Sequence, residues 1–348
     1  MSQHGKNPSL EPVACPYCGS RRARPWRSSP DRLLRRFDTV WTALRCRDCG
    51  VCYTSPRPAS ASIGDHYPDK YAPYRPDKKS GRSSDFFALG RLKPNDHAFM
   101  VHELGYQAQR GERSISRWRA RFPSLAMVSS PPPPADLGKG RLLEIGCSHG
   151  LYLERVRMLG WRVQGVELSR SASEFARGER GLDVHTGPFQ ADLFPEASFE
   201  CVVMWQVLEH VAEPLEVLGE VFRLTRPGGV LMIGVPNSGC LLARLAGDYF
   251  YPLDLPRHLT HFTVSSIRRF VESAGFRVRR LYHQPAGRDA ARSICCWVDA
   301  NLPARWGERA WRLEKNRGLR RFSRCLGLLT AFLKQGARLT VIAEKKGP

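Results

Sequence analysis

The sequence predicts an α/β fold in which a cysteine-rich module precedes an open, mainly parallel sheet. Between residues 141 and 282, short apolar segments alternate with segments of helical periodicity. Strands separated by single helices form parallel sheets through right-handed crossovers. Nearer the start, two Cys-x-x-Cys pairs have the spacing of a small metal-binding module. The chain is therefore expected to combine a small metal module with a larger α/β domain.

The elements of the α/β region follow from hydrophobic periodicity and from the turn residues between segments. The predicted strands are residues 141–146, 162–167, 182–185, 201–205, 230–235 and 276–282, with a last strand within 337–345. The predicted helices are residues 151–159, 171–180, 214–224 and 264–274. Residues 97–122 form a weaker helical pattern because Gly105 and Gly111 interrupt it.

These segments divide the chain into five regions. Residues 1–60 form the metal module, and residues 61–136 connect it to the sheet through a helix and a proline-rich linker. Residues 137–284 form the α/β domain. Residues 285–336 form a basic, tryptophan-bearing helical insert, and residues 337–348 supply the last strand and a tail.

The net charge of +21 is confined to the two ends of the chain. Residues 1–140 carry 24 basic and 12 acidic side chains, residues 141–235 carry 9 and 13, and residues 236–348 carry 21 and 8. Because 44 of the 54 basic residues are arginine, a GC-rich coding sequence would produce the excess without an anionic partner. A solvated basic surface is the favoured interpretation, and nucleic acid is a less favoured partner.

Composition also excludes several classes of protein. With 42% apolar residues the chain can bury a core, and no apolar run approaches the roughly 18 residues of a membrane span. The first ten residues are polar and have no secretory pattern. The expected location is cytoplasmic, where cysteines remain thiols or bind metal.

The four cysteines of the module predict a structural zinc site. Cys15 and Cys18 form one pair, Cys46 and Cys49 form the other, and a glycine follows each pair. The 27 residues between the pairs suffice for a hairpin that brings the sulfurs around one tetrahedral ion. Four thiolates leave no open position for water, so the zinc is expected to be structural rather than catalytic.

A glycine loop predicts a nucleoside site at the end of the first strand of the sheet. Gly146 and Gly150 stand where an open parallel sheet binds ligands, and Glu167 closes the second strand, 23 positions after Glu144. A carboxylate at that position can accept hydrogen bonds from both ribose hydroxyls. The loop lacks the glycine patterns of dinucleotide and phosphate loops, which favours a nucleoside without pyrophosphate.

At these residues the chain resembles the class I S-adenosylmethionine-dependent methyltransferases. The resemblance covers about residues 137–283 and rests on four motifs in order. They are Leu142-Leu143-Glu144-Ile145-Gly146-Cys147-Ser148-His149-Gly150, Val166-Glu167, Phe199-Glu200-Cys201-Val202-Val203 with Val207-Leu208-Glu209-His210-Val211, and Leu224-Thr225-Arg226-Pro227-Gly228-Gly229-Val230-Leu231. It implies a Rossmann-like seven-stranded sheet, mostly parallel, with its last strand antiparallel. Residues 236–237 and 254–263 resemble a subgroup that methylates sugars, glycans and small metabolites, some members of which begin with a zinc ribbon.

The resemblance implies a role for each matching position. S-adenosylmethionine is the implied cofactor, and the implied contacts are Glu144, Gly146, Cys147, Ser148 and Gly150 toward methionine, Glu167 toward ribose, Leu168 and Phe189 toward adenine, and Trp205 and Gln206 toward the sulfonium. One position departs from the family pattern, because Ser148 stands where the middle glycine is usual. Cofactor contact at Ser148 is therefore expected to be less tight.

Methyl transfer needs alignment of the acceptor with the methyl group and a base where the acceptor loses a proton. The candidate bases are His210, His258 and His261, because imidazole titrates near neutral pH. A histidine in such a loop can equally cap a helix or bond a carbonyl. The candidate walls of the acceptor pocket are Tyr67, Tyr71, Tyr74, Tyr249 and Tyr251.

The predicted activity is O-methylation of a sugar, a glycan or a related small metabolite. A first alternative is methylation of RNA or protein, with the basic ribbon docking the polymer, and a second is a non-catalytic zinc-ribbon adaptor. The insert at 285–336 carries Trp297, Trp306 and Trp311 among arginines, so it could contact a membrane surface, cover the acceptor site or form a dimer contact. The acceptor atom and the oligomeric state are left open.

Overall fold

The computed structural model describes residues 9–35, 39–59, 62, 66–67, 99–107, 130–303 and 311–347. Within these residues, a seven-stranded sheet with flanking helices packs against a smaller four-stranded sheet. The N-terminal part of the second sheet lies in residues 9–59, which we name the ribbon. The divisions predicted at residues 60, 136, 284 and 336 remain predictions.

The large sheet has the order β12-β13-β10-β9-β6-β7-β8. Its strands are β6 (Arg141–Ile145), β7 (Arg162–Glu167), β8 (Asp183–Thr186), β9 (Phe199–Trp205), β10 (Thr225–Pro236), β12 (Arg277–Gln284) and β13 (Arg338–Glu344). β13 runs antiparallel to both β10 and β12, whereas β6 to β10 pair in parallel. The predicted mostly parallel sheet with an antiparallel last strand is confirmed. This last strand of the chain lies inside the sheet rather than at its edge.

The helices cover both faces of this sheet. They are α1 (Leu151–Met158), α2 (Arg170–Arg180), α3 (Pro214–Leu224), α4 (Leu241–Ala246), α5 (Val264–Ser273), α6 (Gly287–Asn301) and α7 (Arg317–Phe332). The central strand β9 is apolar on both faces, and its Val202 and Val203 are fully buried on opposite sides. A strand covered on both faces by helices is expected to be continuously apolar, which explains why its sequence shows no alternation.

The ribbon contains β1 (Leu10–Glu11), β2 (Ala23–Pro30), β3 (Val40–Cys46), β4 (Cys52–Thr54) and β5 (Arg57–Pro58). β2, β3 and β4 form an antiparallel sheet that is completed by β11 (Thr260–His261). Thr260 pairs with Tyr53, and His261 pairs with Cys52. Residues of the α/β domain therefore supply one strand of the ribbon sheet, and the two parts share a hydrophobic core.

Two predicted helical regions have different outcomes. Of the helix predicted at 97–122, residues 99–102 are helical. The helix ends there, because residues 103–104 form a turn and Gly105 has a left-handed φ of +75°. Residues 108–129 lie outside the described part of the chain. In the insert predicted at 285–336, the described residues contain α6 and α7, whereas residues 304–310 lie outside the described part of the chain. No helix in the described residues is long and apolar enough to cross a membrane.

Candidate active site

The loop between β6 and α1 has three residues in the left-handed region. Gly146 has φ +73°, Ser148 has φ +48° and Gly150 has φ +71°. A Cβ on Gly146 would lie 2.5 Å from Cγ2 of Val207, and a Cβ on Gly150 would lie 2.3 Å from Cδ1 of Leu182. Both glycines are therefore required by close packing within the protein as well as by backbone conformation.

Ser148 occupies a backbone conformation that glycine adopts more easily. We expect Ser148→Gly to raise the free energy of unfolding by about 0.5–1 kcal/mol, because the left-handed conformation costs an L-residue about 1–2 kcal/mol and the extra freedom of unfolded glycine offsets part of it. The substitution keeps the hydrogen bond from the backbone amide of residue 148 to the Glu167 carboxylate. Chemical denaturation measures the effect.

Ser169 provides a matched control for this substitution. It also flanks Glu167, but it has φ −72° and caps α2 by accepting a hydrogen bond from the Ala172 amide. Ser169→Gly is expected to destabilise the protein by a few tenths of a kcal/mol, roughly the cost of replacing a serine cap by glycine. If both variants change the free energy of unfolding in the same direction, the proposed backbone strain at Ser148 would be contradicted.

Glu167, at the end of β7, holds the loop in place. One carboxylate oxygen accepts a hydrogen bond from the Ser148 amide and the other from the Ser169 amide, each at 2.7 Å. Burial raises the pKa of Glu167, and these amides act in the opposite direction. Each oxygen retains capacity for another donor, so the carboxylate can bind a ligand hydroxyl while it anchors the loop.

Glu144 lies deeper in the sheet, on β6. It is 3% exposed, and burial together with the nearby Glu167 raises its pKa well above the ordinary value. Its Oε2 has no hydrogen-bond partner among the described residues. A buried polar atom without a partner is costly, so this oxygen marks a position where a ligand donor would be stabilising.

The other predicted cofactor residues surround the same edge of the sheet. Leu168 is 55% exposed, and Phe189 is half-buried. The Cys147 thiol is buried, and burial raises its pKa. The Trp205 ring packs edge-on against Tyr152, with ring centroids 5.6 Å apart. Gln206 has φ +57°, which turns the chain away from β9 immediately after Trp205.

A polar cluster follows β9 on the turn Leu208–His210. One ligand-type atom from each of Glu209, His210 and His258 lies within 4.8 Å of the other two. Burial raises the pKa of Glu209 to about 8. Burial lowers the pKa of both histidines, and each of the other histidines nearby adds to this effect at His258. We name these three residues the Glu-His-His cluster.

His261 lies outside this cluster. Its Nε2 is 3.2 Å from the Thr54 hydroxyl, and its ring is tilted against Trp26 at 5.6 Å. Both partners belong to the ribbon, and burial lowers the pKa of His261 to about 3. The structure thus brings two of the three predicted bases together and places the third between the ribbon and the α/β domain.

Two contacts beside the cluster were not predicted from the sequence. Arg257 is fully buried and binds Asp31 of the ribbon through two hydrogen bonds of 2.8 and 3.0 Å. The same guanidinium also binds Asp254. Tyr67 contacts Nδ1 of His210 through its hydroxyl at 2.9 Å. Of the other tyrosines proposed as pocket walls, Tyr71 and Tyr74 lie outside the described residues.

The four predicted cysteine ligands meet at the end of the ribbon. The Sγ atoms of Cys15 and Cys49 are 3.4 Å apart, those of Cys18 and Cys46 are 3.6 Å apart, and all four lie within 4.8 Å of one another. A Zn–S distance of about 2.3 Å gives sulfur separations of about 3.8 Å in a tetrahedron. Gly19 and Gly50 have φ +70° and +76° and turn the chain after each pair, as their positions predicted.

Comparison with known proteins assigns the α/β region to a family. A model of the methyltransferase domain matches residues 106–281, half of the chain. The chain belongs to this methyltransferase family. The motifs that carried the resemblance, from Leu142 to Leu231, all lie within the matched methyltransferase region.

Several curated methyltransferases are similar to part of the chain. A probable S-adenosylmethionine-dependent methyltransferase of Mycolicibacterium smegmatis is 28% identical over 138 residues, which cover 39% of this chain and 52% of that protein. The ubiquinone biosynthesis O-methyltransferase of Caulobacter vibrioides is 33% identical over 31% of this chain and 46% of its own length. That of Aromatoleum aromaticum is 32% identical over 42% and 68%. The chain thus spans about half the length of the first two relatives.

Proposed function

We propose that the protein is an S-adenosylmethionine-dependent methyltransferase that methylates an oxygen atom of a small metabolite or sugar. The observation that carries the proposal is the pairing of Glu167 with the Ser148 amide, which joins the glycine loop to a carboxylate at the carboxyl edge of the sheet. The O-methyltransferases among the relatives favour a small-molecule oxygen acceptor. The sugar acceptor rests on the resemblance of residues 236–237 and 254–263 to a sugar-methylating subgroup.

The residues at this edge fit the cofactor chemically. We assign the ribose hydroxyls to Glu167, whose oxygens have remaining acceptor capacity, and the methionine portion to the loop from Gly146 to Gly150. The unpartnered Oε2 of Glu144 fits the ammonium group. The exposed Leu168 and the half-buried Phe189 would cover adenine.

The acceptor side is assigned to the Glu-His-His cluster, next to the proposed sulfonium contacts Trp205 and Gln206. The bound cofactor supplies an electrophilic methyl group on a positive sulfur. Methyl transfer there would join the acceptor oxygen to the methyl carbon, release the sulfur as a neutral thioether and leave the hydroxyl proton to solvent. The protein contributes in-line alignment of the two reactants. His261 lies outside the Glu-His-His cluster and contacts Thr54 and Cys52 of the ribbon. We therefore assign it a structural role that joins the ribbon to the α/β domain.

A direct test combines cofactor binding with an acceptor screen. We expect the purified protein to bind S-adenosylmethionine in calorimetry and to transfer a labelled methyl group to a hydroxylated sugar or phenolic metabolite. Lipid and RNA acceptors are included in the screen. Transfer to RNA with salt-sensitive binding would favour the polymer alternative. Absence of cofactor binding would overturn the proposed activity, and binding without transfer to any acceptor class would favour the adaptor.

We propose further that the four ribbon cysteines hold a structural Zn²⁺. Cys18→Ser is expected to lose the one zinc equivalent held by the ribbon and to lower the melting temperature, because metal-binding free energy in such a module is folding free energy. Cys52→Ala is the matched control, since Cys52 is a buried ribbon thiol outside the group of four. Metal analysis and thermal denaturation of both variants make the comparison. Zinc retained at full stoichiometry in Cys18→Ser would contradict the site.

A further inference from the structure

The Glu-His-His cluster brings together three groups that each present a lone pair. Glu209 and His210 stand on the turn after β9, and His258 comes from the segment that precedes β11. Glu209 is 1% exposed and His258 is 8% exposed. Their ligand-type atoms and that of His210 are mutually within 4.8 Å. Two distant parts of the chain thus place nitrogen and oxygen ligands at one buried point.

The hydrogen bonds of the two imidazoles determine which ring nitrogen is available. Nδ1 of His210 lies 3.0 Å from the Arg257 carbonyl oxygen, and Nδ1 of His258 lies 2.8 Å from the Pro252 carbonyl oxygen. A carbonyl oxygen only accepts, so a protonated Nδ1 satisfies both contacts and leaves the lone pair of each neutral ring on Nε2. The Tyr67 hydroxyl, 2.9 Å from Nδ1 of His210, fits this tautomer because it can accept from that N–H and donate to the Arg257 carbonyl oxygen at 3.5 Å. Histidines that bind metals use this arrangement, with the other ring nitrogen donating to a backbone carbonyl.

The Glu209 carboxylate completes the set. Neither of its oxygens has a hydrogen-bond partner among the described residues. The neighbouring Asp254 is bound to Arg257 and approaches Nε2 of His258 only at 3.8 Å. Arg338, which favours the charged form of Glu209, makes two hydrogen bonds to Asp289. The Glu209 carboxyl oxygens therefore have no protein donor among the described residues, and a cation bound by one ligand atom from each of the three residues would satisfy them.

We propose that Glu209, His210 and His258 form a divalent metal site. Two imidazoles and one carboxylate suit Zn²⁺, Fe²⁺ or Co²⁺ better than Ca²⁺, which binds only oxygen. Three protein ligands leave positions open, in contrast to the four thiolates of the ribbon. The existence of this site is independent of the proposed function, whereas its role rests on it. A bound cation next to Trp205 would coordinate the acceptor hydroxyl and promote loss of its proton to solvent.

Cobalt binding tests the site without an activity assay. The full-length protein is stripped with a chelator and titrated with Co²⁺, and bound metal is counted by elemental analysis. Cobalt in the ribbon gives thiolate charge-transfer absorption, whereas cobalt on nitrogen and oxygen ligands gives only ligand-field bands. We expect wild type to bind two equivalents. Glu209→Gln and His258→Gln are each expected to lose the second equivalent and its ligand-field bands.

Two controls keep the test interpretable. The thiolate band of the ribbon reports folding in the same sample, and His261→Gln removes a neighbouring buried histidine outside the cluster and is expected to keep both equivalents. A second equivalent that persists in Glu209→Gln, or a wild type that binds cobalt only through thiolates, would overturn the metal site. Calorimetry with S-adenosylmethionine reports separately on the proposed function, because cofactor binding does not enter the cobalt count.

Discussion

Arg257→Met is expected to lower the free energy of unfolding by about 3–5 kcal/mol, the usual cost of removing one partner from a buried ion pair. The Arg257 side chain is fully buried between Asp31 and Asp254, which are 0% and 7% exposed. Both acids hold the pKa of Arg257 above its usual range. The substitution removes the guanidinium that binds two buried carboxylates, and it releases the ribbon from the segment that carries His258. Urea denaturation followed by tryptophan fluorescence measures the loss.

Two further variants show whether the loss comes from unpaired charge. Arg223→Met removes an arginine whose partners, Glu196 and Glu220, are exposed, so it is expected to cost no more than about 1 kcal/mol. Adding Asp31→Asn and Asp254→Asn to Arg257→Met is expected to recover part of the stability, because no buried charge then lacks a partner. A loss below 1 kcal/mol in Arg257→Met would contradict the importance of this triad.

The fold was predictable from the sequence because its decisive signals are local. The predicted strands 201–205 and 230–235, which lie within β9 and β10, are short apolar runs bounded by turn residues. Helix α3 begins at Pro214, where proline suits the first helical turn. The alternation of these elements implies a parallel sheet. The antiparallel direction of β13 was available only through the family resemblance, since a single amphipathic strand does not indicate where it inserts. Its place between β10 and β12 depends on pairing with strands distant in sequence.

The proposed cofactor side of the site was more predictable than the proposed acceptor side for the same reason. The glycine loop and Glu167 end two consecutive strands, and the carboxyl ends of adjacent parallel strands meet at one edge. The acceptor side is assembled from distant segments: Arg257 meets Asp31 across 226 positions of the chain, and Tyr67 meets His210 across 143. No periodicity encodes such contacts. The sequence places Asp254 three positions before Arg257, but it does not indicate that Arg257 also binds Asp31 of the ribbon.

Glu167→Ala is expected to weaken binding of S-adenosylmethionine by about 10- to 150-fold, which corresponds to the roughly 1.5–3 kcal/mol that a hydrogen bond to a charged group contributes. The carboxylate has two proposed tasks, because it would accept the ribose hydroxyls while it anchors the Ser148 and Ser169 amides. Calorimetry with S-adenosylmethionine and with S-adenosylhomocysteine measures the loss. Glu179→Ala, which removes an exposed glutamate of α2, is the matched control and is expected to leave affinity unchanged.

An S-adenosylhomocysteine analogue without its two ribose hydroxyls separates these tasks. If Glu167 binds ribose, wild type loses affinity for the analogue, and Glu167→Ala binds the analogue and the parent compound equally well. If Glu167 only anchors the loop, the substitution weakens both ligands by the same factor and the two effects add. Additive effects would therefore contradict the ribose assignment while leaving the loop contact intact. We expect the non-additive result, because the carboxylate retains acceptor capacity toward the ligand on both oxygens.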